Sequence, residues 1–384
     1  MRVKLGEVFE ISSGGTPSKL HSEYYGGNIS WVKTGDLKNK YLYEVENFIT
    51  EEGLKNSSAK MYEPDTVLIA MYGATIGATS ILKINACTNQ ACAAFKKNNQ
   101  VIPEYLYYFL QSQKKKFVKD GVGGAQPNIS ASYLKKIEME LPSLKKQREI
   151  VDILNTISDV VEKRKGEINA FKDLIKARFV EMFGDPVAND KGWKTKSLLD
   201  MGKCKNGMNF HYDDSGVEIN CLGVGDFKDL SVIDNTEKLS IVSLNEMPSE
   251  EYLLKDGDIV FVRSNGNKDL VGRSLAVYPG NLPTTFSGFC IRYRKHDNEI
   301  IVPYLLRVLK MESMRKKMAG RGANIQNLNQ QILRTLVIPV PPIELQNQFA
   351  DFVRTTDKSK VIASTTLKKL TFFRNICYNN SKDF

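Results

Sequence analysis

A chain of 384 residues is more than twice a typical domain of about 150, so two or more domains with their own cores are expected and a single small stapled module is excluded. Apolar residues at 42% and charged residues at 26% lie close to the globular average, which excludes disorder, collagen and fibres. The net charge of +10 is compatible with polyanionic partners, and it divides as +3, +2, +2 and +3 over residues 1–142, 143–183, 184–341 and 342–384, so the excess is spread over the body rather than held in a basic tail.

The first residues, MRVKLGEVFEIS, carry charges at Arg2, Lys4, Glu7 and Glu10 and leave no apolar run for a signal peptide, so a cytoplasmic protein is expected. The longest uncharged stretch, 66–82, holds Tyr72, Gly73 and Gly77. It is too short and too polar to span a bilayer and reads as two strands around a turn. Strands are expected at 66–71, within that stretch, and at 91–96, 258–262 and 288–293, where β-branched and aromatic residues concentrate, and helices at 103–119 and 303–318.

The same text occurs twice at a spacing of 190 to 200 residues. WVKTGDL (31–37) answers CLGVGDF (221–227), and PDTVLIA (64–70) answers GDIVFVR (257–263). Residues 121–154 align without gaps to 320–353, with seven of 34 positions identical where composition gives roughly two. Each copy ends in a long helical stretch beginning at a proline, over about 143–183 and 343–380. Apolar residues recur every seven at Leu154, Val161, Ile168 and Ile175, with a second row at Ile157 and Phe171, which is a coiled-coil seam. The second stretch offers Phe349, Phe352, Leu370 and Phe373 as its seam, with weaker heptads. The fold class expected is α+β: two similar globular domains, 1–142 and 184–341, and two long helices, 143–183 and 342–384, paired as an antiparallel coiled coil.

Catalytic patterns are missing. The three histidines, His21, His211 and His296, are isolated, and the six cysteines form no CxxC pair, so they read as reduced core residues and no metal site is expected. No GxxxxGK[ST] loop, GxSxG elbow or GxGxxG after a strand is present. The chain reads as a binder. A basic cluster closes each globular helix, Lys114, Lys115, Lys116 and Lys119 in one copy and Arg315, Lys316, Lys317 and Arg321 in the other. Each leads into a Gly-rich loop with amides, Gln126 and Asn128 against Asn324 and Gln326. Lysines neutralise phosphates, and Gln and Asn can pair bidentately with adenine edges. The same residues also fit an ordinary helix end with dipole-complementing lysines and a glycine cap. A second candidate loop follows the middle strand, with Tyr72 in the first copy and Arg263, Asn265, Asn267, Lys268 and Arg273 in the second. Different donors on a shared scaffold fit two units reading different sequences.

LGEVFEISSGGTPS, WVKTGDL, the NIS at 128–130, LPSLKKQREI and RFVEMFGDP together resemble the specificity subunit of type I restriction-modification enzymes over essentially the whole chain. The resemblance implies two target-recognition domains, an antiparallel coiled coil, and double-stranded DNA as ligand. It also implies two adenine-N6 methyltransferase subunits and ATP-driven restriction subunits as partners, with S-adenosylmethionine, ATP and magnesium on those partners and no cofactor on this chain. The competing reading is a scaffold that binds protein through its rods and no DNA.

Overall fold

A computed structural model describes residues 1–121, 128–210, 214–227, 231–319 and 327–379. The chain divides into two compact units, residues 1–166 with 363–384 and residues 167–362.

In the first unit a five-stranded sheet is built from β1 (Ile11–Ser13), β2 (Tyr41–Leu42), β3 (Val67–Ala70), β4 (Thr79–Leu82) and β5 (Cys92–Phe95), in the order β1-β5-β3-β4-β2. All neighbours are antiparallel except β2 and β4. The second unit repeats this with β6 (Gly202–Asn206), β7 (Val232–Ile233), β8 (Asp258–Val262), β9 (Ser274–Val277) and β10 (Cys290–Lys295), ordered β6-β10-β8-β9-β7, again with one parallel pair, β7 and β9. The expected strands at 66–71, 91–96, 258–262 and 288–293 are thus found within one or two residues of β3, β5, β8 and β10.

The central strands read as unbroken apolar runs because both their faces are covered. Val67 and Ile69 of β3 join a core with Leu106, Leu110 and Phe117, whereas Leu68 and Ala70 face a second core with Val32, Leu37 and Tyr62. In β8, Ile259 and Phe261 pack on Leu305 and Leu309, and Val260 and Val262 pack on Leu222, Phe227 and Phe286. Each fully buried side chain of this kind is worth about 2 kcal/mol of transfer free energy. The helices on the first of these faces are α1 (Pro103–Asp120) in the first unit, and α3 (Val302–Lys310) and α4 (Glu312–Ala319) in the second. The single helix expected at 303–318 is therefore two. Met311 takes an extended backbone (φ −64°, ψ 142°) between them and buries its side chain with Met314 and Met318 in the core.

The repeated Gly-Asp pair is structural. Asp36 accepts from the Lys33 N–H at 2.7 Å and Asp226 from the Gly223 N–H at 2.8 Å, closing the same short 3₁₀ turn in each unit.

The long helices are α2 (Leu144–Phe183) and α5 (Ile343–Asn379). Within the first unit, Ile150, Leu154, Ile157 and Val161 of α2 are buried in the main core, against which Leu367 and Leu370 of α5 also pack. Within the second unit, Phe179 and Phe183 near the end of α2 meet Phe349 near the start of α5 and Tyr304 of α3, with ring centroids 4.8 to 5.8 Å apart. The front of α2 thus keeps company with the back of α5 and its end with the front of α5, the antiparallel order. Ile168, Phe171, Ile175 and Phe352 are half-buried. Phe373 is a correction: it is 47% exposed, and the inward positions of that turn belong to Leu367 and Leu370. Ser359, Thr356 and Thr366 interrupt the apolar rows of α5, although Thr356 is itself buried, its hydroxyl on the Phe352 carbonyl at 2.8 Å.

Among the described residues no helix is long and apolar enough to cross a membrane, and no group of three or more His, Cys, Asp or Glu is arranged to hold a metal. Cys87, Cys92, Cys204, Cys221 and Cys290 carry free thiols. Burial pushes those of Cys92 and Cys221 up to about 12, so they stay protonated and inert.

Candidate nucleic-acid interface

The two loops singled out in each copy lie side by side. In the first unit the segment after β3 meets the end of the Gly-rich loop through an antiparallel bridge between Tyr72 and Asn128, and the Ile129 N–H donates to the Met71 carbonyl at 3.0 Å. In the second, Ser264 bridges Asn327 and the Leu328 N–H donates to the Arg263 carbonyl at 2.7 Å. Ile129 and Leu328 are buried, so one apolar side chain pins each loop to the sheet and leaves the residue before it exposed. The two candidate regions of each copy are therefore one composite surface at the same place in both units.

Lys114, Lys115, Lys116 and Lys119 are all exposed on the last turns of α1, held by Phe117, which is fully buried. The stem of Lys114 lies over Gly77, where an added Cβ would come within 3.0 Å of its Cγ; φ of +77° also demands glycine there. That contact brings the lysine cluster beside the Tyr72 loop. Tyr72 is 40% exposed and Asn128 is exposed.

In the second unit the donors are tied more closely to the protein. The Asn265 side chain caps the Asn267 N–H at 2.8 Å, and that of Asn267 caps the Asp269 N–H at 3.0 Å, so both amides shape the loop, with Asn265 half-buried and Asn267 exposed. Arg263 is half-buried and reaches the Gly288 carbonyl at 3.4 Å. Arg273 and Arg315 differ from expectation. Arg315 donates to the carbonyls of Asp269 and Val271, both at 3.2 Å, and so fastens the loop to α4, whereas Arg273 donates to that of Asp269 at 3.3 Å and closes the loop on itself. Lys316 pairs with Glu312 one turn earlier on α4 at 2.7 Å, and Lys317 is exposed. Gln126, Arg321, Asn324, Gln326 and the side chain of Lys268 lie outside the described residues. Sequence reasoning missed Phe289, 60% exposed, whose carbonyl accepts from the Arg263 N–H at 2.7 Å. An exposed aromatic ring at this tip can stack on a base or wedge between base steps.

What the surface offers is exposed ammonium groups for phosphates, amide donors and acceptors for base edges, and one exposed aromatic ring per unit. No nucleophile, base or metal set accompanies them among the described residues.

Comparison with known proteins agrees with this chemistry. The family described as type I restriction modification DNA specificity domain matches residues 1–172 and again 190–371. The chain belongs to that family and carries its domain twice. It is 31% identical over 226 residues to the type I restriction enzyme MjaIX specificity subunit of Methanocaldococcus jannaschii, covering 54% of this chain and about half, 52%, of that relative. It is 25% identical over 369 residues to the StySPI specificity subunit of Salmonella potsdam, covering 88% of this chain and 77% of that one. Among solved structures, the S subunit of the type I restriction-modification system from M. genitalium matches 98% of this chain and 94% of its own with a TM-score of 0.52 at 16% identity. A chain from a study of complex assembly and conformational transition in the type I R-M system matches 99% and 96% with a TM-score of 0.65, also at 16% identity. These likenesses bear on the fold.

Proposed function

We propose that this chain is the DNA-reading subunit of a type I restriction-modification assembly, recognising a split target with one half read by residues 1–142 and the other by 184–341. The observation that carries the reading is the recurrence of one composite loop surface on two copies of the same sheet, with Tyr72 and Asn128 in one and Ser264, Asn265, Asn267 and Asn327 in the other. A scaffold that merely assembled partners would have no use for duplicated, differently furnished loops, and membership of a DNA specificity family disfavours it.

In this reading the chain does no chemistry itself. Two adenine-N6 methyltransferase subunits grip the long helices and ATP-driven restriction subunits dock on that core, in the cytoplasm. S-adenosylmethionine, ATP and magnesium then sit on those partners. Phosphate contacts from the α1 lysines position the duplex, and side chains of the paired loops read base edges. The methyltransferase must extrude its adenine, and distortion of the duplex by the reader lowers that cost. The test is binding by the chain with and without the methyltransferase subunit: the pair selects one bipartite duplex over random DNA, and absence of any preference would refute the reading.

A further inference from the structure

The two units differ behind the sheet, where the globular helix, the parallel strand pair and the long helix meet. In the first unit this place is filled by a closed polar network. The Tyr108 hydroxyl donates to Asn155 Oδ1 at 2.7 Å, Lys40 Nζ donates to the same oxygen at 2.6 Å, and the Lys40 ammonium lies 4.6 Å from the Tyr108 ring centroid. The repeat tells which residues stand there in the second unit. Ile102 and Ile301 precede α1 and α3 and are each held by the equivalent glutamine, so Tyr108 corresponds to Arg307 and Asn155 to Arg354. The Ile81 N–H bonds to the Lys40 carbonyl as the Ala276 N–H bonds to that of Ser231, so Lys40 corresponds to Ser231.

These replacements open the network. The second unit has a cavity of about 530 Å³ here, lined among others by Ser274, Arg307, Lys310, Arg354 and Lys360. Ser274 is 4% exposed and its hydroxyl has no hydrogen-bond partner; Arg307 Nε is buried and likewise unpartnered. Its counterpart to Ser274, Thr79, satisfies its own hydroxyl on the Gly77 carbonyl at 3.1 Å. Asp357 is the carboxylate of the lining, 3.9 Å from Lys360. Orphaned buried donors are costly and rare, and they gain most from an anion that accepts from several at once.

We infer that this cavity binds a phosphate-bearing small molecule of nucleotide size, with Arg307, Ser274 and Lys310 as donors to the phosphate. The size lies in the range of small-ligand pockets, and Phe227, Tyr278 and Phe349 supply an apolar wall for an organic moiety. Arginine fits because its fork matches phosphate bidentately. Repetition argues against a protein partner: one that gripped both halves alike would need the same chemistry twice, and the first unit has Tyr108 and Asn155 in its place.

The test is calorimetric titration of the full chain with pyrophosphate and with ADP. Saturable binding of either is expected, weakened about tenfold or more by Arg307→Gln. It should be unchanged by Lys191→Ala, at an exposed lysine of the same unit outside the cavity. The double variant Arg307→Tyr/Arg354→Asn, which installs the first unit's residues, should fold and lose binding. Absence of saturable binding, or equal binding by Arg307→Gln, overturns the inference. So does a short duplex whose affinity alone depends on Arg307, since the cavity would then serve the DNA backbone.

Discussion

Gln147 and Gln346 occupy the first turn of α2 and α5, are both fully buried, and make the same three hydrogen bonds. Gln147 Oε1 accepts from the Ile102 N–H at 2.9 Å, and its Nε2 donates to the carbonyls of Gln100 and Pro142 at 2.9 and 3.0 Å. Gln346 does so with Ile301 at 3.0 Å and with Glu299 and Pro341, both at 2.8 Å. In each unit one amide thus joins the start of the long helix to the start of a globular helix, α1 in the first and α3 in the second.

Replacing Gln147 by Leu keeps the volume and orphans one N–H and two carbonyls. A loss of about 2 to 4 kcal/mol is expected. Because the bonds are confined to the first unit, its denaturant transition should shift while that of the second stays, and Gln346→Leu should do the reverse. Hydrogen exchange resolved by segment reads the two separately.

Lys310 is predicted to make the second unit pH-sensitive. Burial pushes its ammonium down to about 8 from 10.5, and the Arg307, Lys360, Arg273 and Arg315 charges around it push the same way. Between those values the unfolded chain binds the proton that the folded chain has released, so stability rises with pH across that window and its penalty is fully present below about 8. Unfolding of the wild type compared with Lys310→Met should therefore differ by an amount that changes in favour of the wild type from pH 8 to 10. A difference independent of pH would contradict it.

The α1 lysines are assigned to phosphates. Changing Lys114, Lys115 and Lys116 together to Ala should weaken binding to all duplexes alike and lower the slope of log affinity against log salt by up to about 3. Lost selectivity at an unchanged slope would mean that they read bases.

Much of this is legible in the sequence, and the failures have physical causes. The long helices declare themselves by heptads and prolines, and the central strands by short apolar runs. Gln147 stands out as an identity between copies, yet its burial is invisible because a glutamine in a helix's first turn ordinarily faces water. The break at Met311 is hidden since Val308, Met311, Met314 and Met318 keep a helical apolar period through it. Arg273 and Arg315 read as DNA donors because charge alone does not tell a guanidinium turned toward carbonyls from one turned toward solvent. Phe289 carries no signal at all: exposure of a single aromatic ring depends on the turn that presents it.

If the long helices set the spacing of the half-targets, adding one heptad to each preserves the seams, whereas three residues would rotate them. Seven residues inserted after Gly166 in α2 and seven after Ile362 in α5, at the boundary between the units, add about 10 Å of helix. The unspecified gap should grow by about three base pairs with both half-targets unchanged. An unaltered gap at normal activity would make the helices a passive tether.

The central claim is that each unit reads one half of the target. It is tested most directly by mapping methylated adenines in cells carrying the methyltransferase subunit and a chain whose residues 184–341 are exchanged for those of a relative with another specificity. The account predicts that one half-target is retained and the other replaced. Replacement of both halves, or of neither, would contradict it.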